Sequence, residues 1–270
     1  MPPYPSTIQG SSCPTFSPPP LKKFLDGSIQ NLFDAIDWNK THNGHHPLFE
    51  FTINKAEAAK LDESRTIEQP DSDQLLYQIT WGDAYQAFEN AARFASRQLK
   101  ISPSLDSTPP VVAILAVAGK LLIAAMFRDA HSSPWLDPIT YFIFIVGLIR
   151  AGYIPFPISP RNSAVAVAHL ISKTNTRHIF VSGDPAMQKL AENSLALLRE
   201  NTENEVVQVP KTLDCYRMPY FLELYGYQES LTSEPLPDLR GIRQDSPALI
   251  MHSSGTPSVI PSCTTADHAH

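Results

Sequence analysis

The chain has 270 residues, enough for one large domain or two small ones, and 43% of them are hydrophobic while 18% are charged. These values are typical of a globular protein and exclude a largely disordered one. The formal net charge of −6 argues against nucleic acid as a partner, because binding phosphates of the backbone needs an excess of lysine and arginine. The 25 prolines outnumber the 11 glycines, so few loops of this chain can bring their backbone close to a phosphate. Any nucleotide site must therefore be a short segment.

The amino terminus predicts a disordered arm over residues 1–23. Seven of its first twenty residues are proline, and it has neither the basic start nor the apolar core of a secretory signal. The three cysteines, Cys13, Cys215 and Cys263, form no C-x-x-C pair, so neither a zinc site nor a disulfide framework is indicated. We therefore predict a reducing, cytoplasmic setting and no bound structural metal.

Hydrophobic periodicity predicts an alternation of helices and strands after this arm. The predicted helices span residues 23–43, 80–99, 139–151, 162–173 and 185–199, and the predicted strands span 48–53, 75–80, 111–118, 153–158, 177–182, 205–209 and 248–251. Residues 55–73 are polar and predict a surface excursion. Thr80 and Asp83 have the spacing of a capping box at the start of the second helix. The alternation predicts an α/β fold with parallel βαβ units and helices on both faces of the sheet.

Two apolar runs, 111–127 and 139–149, raise the alternative of a small membrane-associated protein. Each run is shorter than the roughly 20 residues that a spanning helix needs. Membrane association is therefore the less favoured interpretation.

The last predicted strand leads directly into a turn rich in hydroxyl groups. Ser253, Ser254 and Thr256 offer donors there, and Gly255 permits close backbone approach, which is how a strand presents hydrogen bonds to phosphate. His252 precedes this turn and either belongs to the site or packs at the end of the strand. Other templates are absent: there is no G-x-G-x-x-G, Walker A, H-E-x-x-H or G-x-S-x-G motif, and no catalytic residue can be assigned.

The order of segments resembles the N-terminal part of the adenylate-forming (AMP-binding) superfamily, particularly fungal nonribosomal-peptide-synthetase-like enzymes. The segments are HPLF at 46–49, ITW at 79–81, ITYF at 139–142, VGLIRAGY at 146–153, PFPISPRNS at 155–163, AHL at 168–170 and ALIMHSSG at 248–255. The resemblance implies that Ser253, Ser254, Gly255 and Thr256 bind the phosphates of ATP. It also implies Mg²⁺, a small carboxylic acid that is activated as acyl-AMP, and a carrier domain as partner.

Two departures from the family pattern define the predicted organisation. After Thr256 the family loop continues to a second glycine and a Pro-Lys pair, whereas here residues 257–270 contain no lysine and are interpreted as an aberrant tail from a shifted reading frame. Residues 24–256 are then the N-terminal portion of an AMP-binding domain. We expect this truncated portion to be inactive alone, because most of the family's active site lies beyond it.

The second departure is an insertion of 18 residues, GKLLIAAMFRDAHSSPWL, at positions 119–136. Strand-to-helix loops of α/β units are usually about 2–6 residues long. Removing the insertion joins Ala118 to Asp137-Pro138, in which Asp can cap a helix and Pro can occupy its first position. In addition, Gly119-Lys120 and Leu136-Asp137 can be encoded by codons that contain the splice signals of an intron. The insertion is therefore interpreted as a translated intron or, alternatively, a real hairpin insertion. For the whole chain, the alternative to an enzyme fragment is a non-catalytic binding module that retains the subdomain fold.

Overall fold

A computed structural model describes residues 15–59, 61, 63–68, 74–100, 109–117, 136–203, 213–225, 235–237 and 247–252. The chain divides into two compact units. The first comprises Met1–Lys100, Gly119–Ala151 and Pro219–Asp245, and the second comprises Ile101–Ala118, Gly152–Met218 and Ser246–His270. Several predicted features lie outside the described residues: residues 1–14 of the arm, the strand at 205–209, the phosphate loop at 253–256, the tail at 257–270 and all but the last residue of the insertion at 119–136.

The described elements alternate between helices and strands along the chain. The helices are α1 Leu21–Leu25, α2 Leu32–Asn43, α3 Lys55–Ala58, α4 Trp81–Leu99, α5 Leu136–Arg150, α6 Ala164–Lys173, α7 Pro185–Glu203 and α8 Phe221–Tyr225. The strands are β1 Pro47–Asn54, β2 Thr66–Glu68, β3 Gln74–Thr80, β4 Val111–Leu115, β5 Ile154–Ile158, β6 His178–Val181 and β7 Asp214–Arg217. A short 3-10 helix at Glu63–Arg65 precedes β2.

The first unit contains an antiparallel sheet of order β1-β3-β2. Phe51 of β1 lies opposite Tyr77 of β3 in the register, and their rings are 5.2 Å apart. Strand β2 lies inside the stretch 55–73, which the sequence predicts to be a polar surface excursion and not a strand. Its residues Ile67 and Glu68 are exposed, so they carry none of the apolar alternation by which a half-buried strand is recognised.

Helix α4 of the first unit begins at a capping box and packs against α5. Thr80 Oγ1 accepts a hydrogen bond from Asp83 N at 3.3 Å, and Asp83 Oδ2 accepts one from Thr80 N at 3.0 Å, which confirms the predicted capping box. The helix packs closely on α5 at Gly147, where a Cβ atom would overlap Ala91 Cβ and lie 3.0 Å from Ala92 N. The absent side chain at Gly147 thus allows the two helix backbones to approach each other.

The single helix predicted over residues 23–43 is wrong, because the chain forms α1 and α2 with a turn between them. Gly27 adopts a φ of 76°, a left-handed conformation that interrupts the first helix. Asn31 then caps α2, since its Oδ1 accepts hydrogen bonds from Phe33 N and Asp34 N. Local hydrogen bonding at this cap overrides the apolar periodicity that runs through both helices.

The described end of the proline-rich arm contacts the first unit. Ser17 N donates to Asn43 Oδ1 at 2.7 Å, and Asn43 Nδ2 donates back to Ser17 O at 2.9 Å. Residues 15–23, the described part of the predicted arm, include these paired hydrogen bonds and the start of α1. Residues 1–14 of the predicted arm lie outside the described part.

The second unit contains the predicted parallel sheet, with strand order β5-β4-β6-β7. One face carries Ala113, Leu115 and their neighbours on β5 and β6, and helices α6 and α7 pack on it to form a continuous apolar core. Val112, Ile114 and Phe180, whose side chains alternate to the opposite face, are also fully buried. Burial of both faces explains why these strands read as unbroken apolar runs in the sequence. Within the described residues, no helix is both long and apolar enough to cross a membrane.

Candidate functional site

The carboxyl end of β5 carries the candidate site of the second unit. In open parallel sheets, ligands bind beyond the carboxyl ends of the strands, where loops and helix starts converge. Residues 247–252, here called the edge segment, run beside β5, and Ile250 N donates to Pro155 O at 3.0 Å. His252 reaches Ser159, so the edge segment and β5 run in the same direction and end at the same edge of the sheet.

The two prolines of β5 explain the limited pairing of the edge segment. Ile154 N donates to Pro110 O, so the amide positions of Ile154 and its alternate neighbours face β4. Pro155 and Pro157 occupy the intervening positions, where the missing N–H groups face away from β4 and leave that ladder intact. The edge segment consequently finds carbonyl acceptors there but no amide donors, and the strand predicted at 248–251 does not form as a regular strand.

A tight turn of residues 159–163 connects β5 to α6. Ser159 O accepts a hydrogen bond from Asn162 N at 3.1 Å, and Ser159 Oγ accepts one from Arg161 N at 3.3 Å. Ser163 then caps α6, since its Oγ accepts from Ala166 N at 3.3 Å. The carbonyl and the hydroxyl of Ser159 therefore accept hydrogen bonds within the turn. The backbone N–H of Ser159 is directed to a partner outside the turn.

That partner is the half-buried His252 of the edge segment. Ser159 N donates to His252 Nε2 at 3.1 Å, and Asn162 Nδ2 lies 3.5 Å from the same nitrogen. The imidazole also meets the Phe156 ring edge-on, at a centroid distance of 6.0 Å. Because Nε2 accepts the Ser159 N–H, the neutral imidazole must carry its proton on Nδ1.

The four predicted phosphate-binding residues, Ser253, Ser254, Gly255 and Thr256, lie outside the described part of the chain. The structure places His252, immediately before them, at the carboxyl edge of the parallel sheet. The contacts of His252 include the end of β5 and the turn after it. Among the described residues, no group of three or more His, Cys, Asp or Glu side chains could hold a metal ion.

Sequence reasoning missed the part played by the turn after β5. Ser159 and Asn162 belong to the quoted PFPISPRNS segment, but nothing in that segment alone pairs them with a histidine 93 and 90 residues further along the chain. The available signal was positional: a polar turn follows a predicted strand at the edge where a second strand also ends.

A further hydroxyl lies at the same edge of the sheet, after β6. Ser182 N donates to Leu115 O at 3.0 Å, and Ser182 O accepts from Gln188 Nε2 at 2.7 Å, so the backbone of this residue is fixed between β4 and α7. Its Oγ is buried and has no hydrogen-bond partner within the described residues. The carboxyl edge of the sheet thus carries polar groups after β5 and after β6.

The polar carboxyl edge of a parallel sheet is where open α/β proteins bind their ligands, and comparison with known proteins identifies the family. Residues 138–258 match the family described as AMP-binding enzyme. The chain is 32% identical over 258 residues to adenylate-forming reductase Nps10 of Heterobasidion annosum, an alignment that covers 94% of this chain. It is 50% identical over 169 residues to adenylate-forming reductase Nps11 of Serpula lacrymans var. lacrymans, covering 62% of this chain.

The chain belongs to the adenylate-forming (AMP-binding) superfamily and is similar to its fungal nonribosomal-peptide-synthetase-like members. It spans 19% of the length of the Heterobasidion relative and 12% of the Serpula relative. Among solved structures, a long-chain-fatty-acid-CoA ligase (FadD1) from Archaeoglobus fulgidus aligns over 74% of this chain and 33% of its own length, with 16% identity and a TM-score of 0.41.

Proposed function

We propose that residues 24–256 form the N-terminal portion of an ATP-dependent enzyme domain that activates a small carboxylic acid as its acyl adenylate. The observation that carries this proposal is the 32% identity to an adenylate-forming reductase along 94% of the chain. The position of His252 adds support, because this residue precedes the predicted phosphate loop in the sequence and lies at the carboxyl edge of the sheet.

The proposed reaction is a displacement at phosphorus. A carboxylate oxygen of the acid attacks the α-phosphorus of ATP, the bond to the bridging oxygen of the β-phosphate breaks, and pyrophosphate leaves with the electron pair. The role proposed for Ser253, Ser254, Gly255 and Thr256 is to donate hydrogen bonds to the phosphates and so hold them for this displacement. A carrier domain would then accept the acyl group in the complete enzyme.

Mg²⁺ accompanies ATP in the proposed reaction, where it supplies neutralising charge to the phosphates. The described residues include no carboxylate cluster that fits a metal ion, so no step is assigned to a metal-binding side chain of this part of the chain.

The 270 residues alone are proposed not to catalyse adenylation. The segment after Thr256 lacks the lysine that the family loop carries, and half a loop leaves much of the triphosphate charge without donors. Formation of acyl-AMP by the purified 270-residue chain would contradict this part of the proposal.

The segments 119–136 and 257–270 are proposed to be a translated intron and a frame-shifted tail. The family match covers residues 138–258 and does not include the segment 119–136. Sequencing the transcript tests both: we expect 119–136 to be spliced out and the reading frame after Thr256 to encode a glycine and a Pro-Lys pair. A transcript that retains both segments contradicts this interpretation.

The functional test is a chimera in which residues 24–256 without 119–136 replace the aligned segment of the Heterobasidion relative. We expect ATP–pyrophosphate exchange dependent on a carboxylic acid, and a loss of at least about tenfold when Ser253 and Ser254 are both replaced by alanine. A folded chimera that shows no exchange, judged against the unmodified relative in the same assay, overturns the proposed function.

A further inference from the structure

We infer that His252 is a positioning residue: its Nε2 fixes the point at which the predicted phosphate loop leaves the sheet. The inference deepens the function proposed above and rests on it for the identity of the loop. It concerns a contact between two segments of the second unit that lie 93 residues apart in the sequence.

Pro155 and Pro157 give the edge segment no amide donors. Among the described residues, its one backbone hydrogen bond to β5 joins Ile250 N to Pro155 O, near the middle of the segment. Leu249 and Met251 are exposed, so apolar burial on their side contributes little to holding the segment in register. Ile250 packs against the apolar core on the other side. The contact from Ser159 N to His252 Nε2 therefore fixes the last residue before the loop.

Ser159 is a rigid partner for this contact. Its carbonyl and hydroxyl are engaged inside the turn by Asn162 N and Arg161 N, and Ser163 holds the start of α6 immediately afterwards. The amide of Ser159 is thus aimed by the turn itself, and the imidazole supplies the acceptor. Phe156, edge-on to the imidazole, limits the rotation of the ring and keeps Nε2 directed at the turn.

A positioning role of this kind makes a specific demand on the side chain at residue 252. It needs a neutral acceptor atom at the distance of Nε2 from the backbone, whereas ring shape alone does not suffice. His252→Phe keeps the ring and its contact with Phe156 but removes the acceptor. His252→Gln loses the ring but places an amide oxygen near the position of Nε2. These two variants separate the hydrogen bond from packing.

The first experiment uses the 270-residue chain in solution. Imidazole nitrogen shifts measured by NMR should show His252 with its proton on Nδ1 and an unprotonated Nε2. Hydrogen exchange at the Ser159 amide should accelerate about tenfold in His252→Phe, the effect of losing one hydrogen bond, and return close to the wild-type rate in His252→Gln. Asn162→Ala is the matched control and should leave Ser159 protected, since its contact with Nε2 is long at 3.5 Å.

The second experiment measures ATP–pyrophosphate exchange in the chimera described above. His252→Phe should raise the KM for ATP by roughly 3- to 10-fold with little change in kcat, and His252→Gln should stay near the unsubstituted value. A proton on Nε2, an unchanged Ser159 exchange rate in His252→Phe, or equal losses in both variants overturns the inference. If the unsubstituted folded chimera shows no exchange, the proposed function fails, and the NMR and hydrogen-exchange results then decide the His252 contact by themselves.

Discussion

Arg150 Nε donates to Glu89 Oε1 at 2.7 Å and so joins the end of α5 to the middle of α4 in the first unit. Glu89 is almost fully buried, and its second oxygen accepts from Arg93 Nη2 at 3.0 Å. Arg150 also donates from Nη1 to Pro237 O at 2.9 Å. One carboxylate is thus held by two guanidinium groups, and one of these groups also fixes a distant backbone segment of the same unit.

Removing Arg150 should destabilise the first unit strongly. Arg150→Leu leaves Glu89 buried with Arg93 as its one ion-pair partner among the described residues and removes the side-chain donor to Pro237 O, so we expect a loss of about 3 kcal/mol in the free energy of unfolding. Equilibrium urea unfolding measures this loss. Lys22→Leu, which removes an exposed positive charge from the same unit, should change stability by less than about 0.5 kcal/mol. Equal effects of the two substitutions would contradict a structural role for the ion pair.

The close contact of α4 and α5 predicts the effect of a methyl group at Gly147. Gly147→Ala should destabilise the protein by about 1–3 kcal/mol, although alanine is the better helix former, because the added Cβ overlaps Ala91 Cβ and crowds Ala92 N. Thermal unfolding monitored by circular dichroism measures the change. Adding Ala91→Gly removes the nearest overlapping atom and should recover part of the loss. An unchanged or raised stability of Gly147→Ala alone would mean that the helices separate at no cost.

The capping box of α4 depends on the hydroxyl of Thr80. Thr80→Val keeps the shape of the side chain but removes the acceptor for Asp83 N and the donor to Asp83 Oδ2. We expect a loss of about 1–2 kcal/mol in the free energy of unfolding, and Thr80→Ser should retain most of the stability because it keeps the oxygen. If urea unfolding finds valine and serine equivalent at this position, the cap contributes nothing.

His178 should make the second unit less stable at mildly acidic pH. Burial lowers its pKa below 6.5; the carboxylate of Asp214, 3.8 Å away, acts against this shift, and Arg177 reinforces it. A pKa that is depressed in the folded state means that the unfolded state binds the proton more readily. The resulting stability is present above pH 6.5 and is lost as the pH falls from there through the folded pKa.

The test compares His178→Phe with wild type by urea unfolding between pH 5 and pH 7, the range around the ordinary pKa of histidine. The variant should lose part of the wild-type pH dependence, since phenylalanine cannot titrate, while Tyr216 keeps an aromatic neighbour at this position. His169→Phe, at an exposed position of α6, is the control and should keep that pH dependence. Identical pH profiles for wild type and His178→Phe would exclude His178 as the cause.

Much of the parallel unit could be predicted from the sequence because strands that are buried on both faces are continuous apolar runs. The apolar runs at β4, β5 and β6 and helix α6, which Ser163 caps, are local patterns, and the structure places each within a few residues of the prediction. The capping box at Thr80 is likewise local, since both of its partners lie within four residues of each other.

The elements that were missed depend on contacts that the local sequence does not record. Strand β7 has the sequence DCYR and is mostly exposed, so only pairing with β6 makes it a strand. The five-residue helix α8 buries Phe221 and Leu224, but this length is too short for a periodic pattern. The acceptor role of His252 requires knowledge that the turn after β5 aims an amide outward, which is a property of the folded chain.

The most direct test of the central claim is acid-dependent ATP–pyrophosphate exchange by the chimera that carries residues 24–256 without 119–136. The account predicts exchange that falls at least about tenfold when Ser253 and Ser254 are replaced by alanine. A soluble chimera with the circular dichroism spectrum of the unmodified relative but no exchange would contradict it, as would exchange that both alanine substitutions leave unchanged.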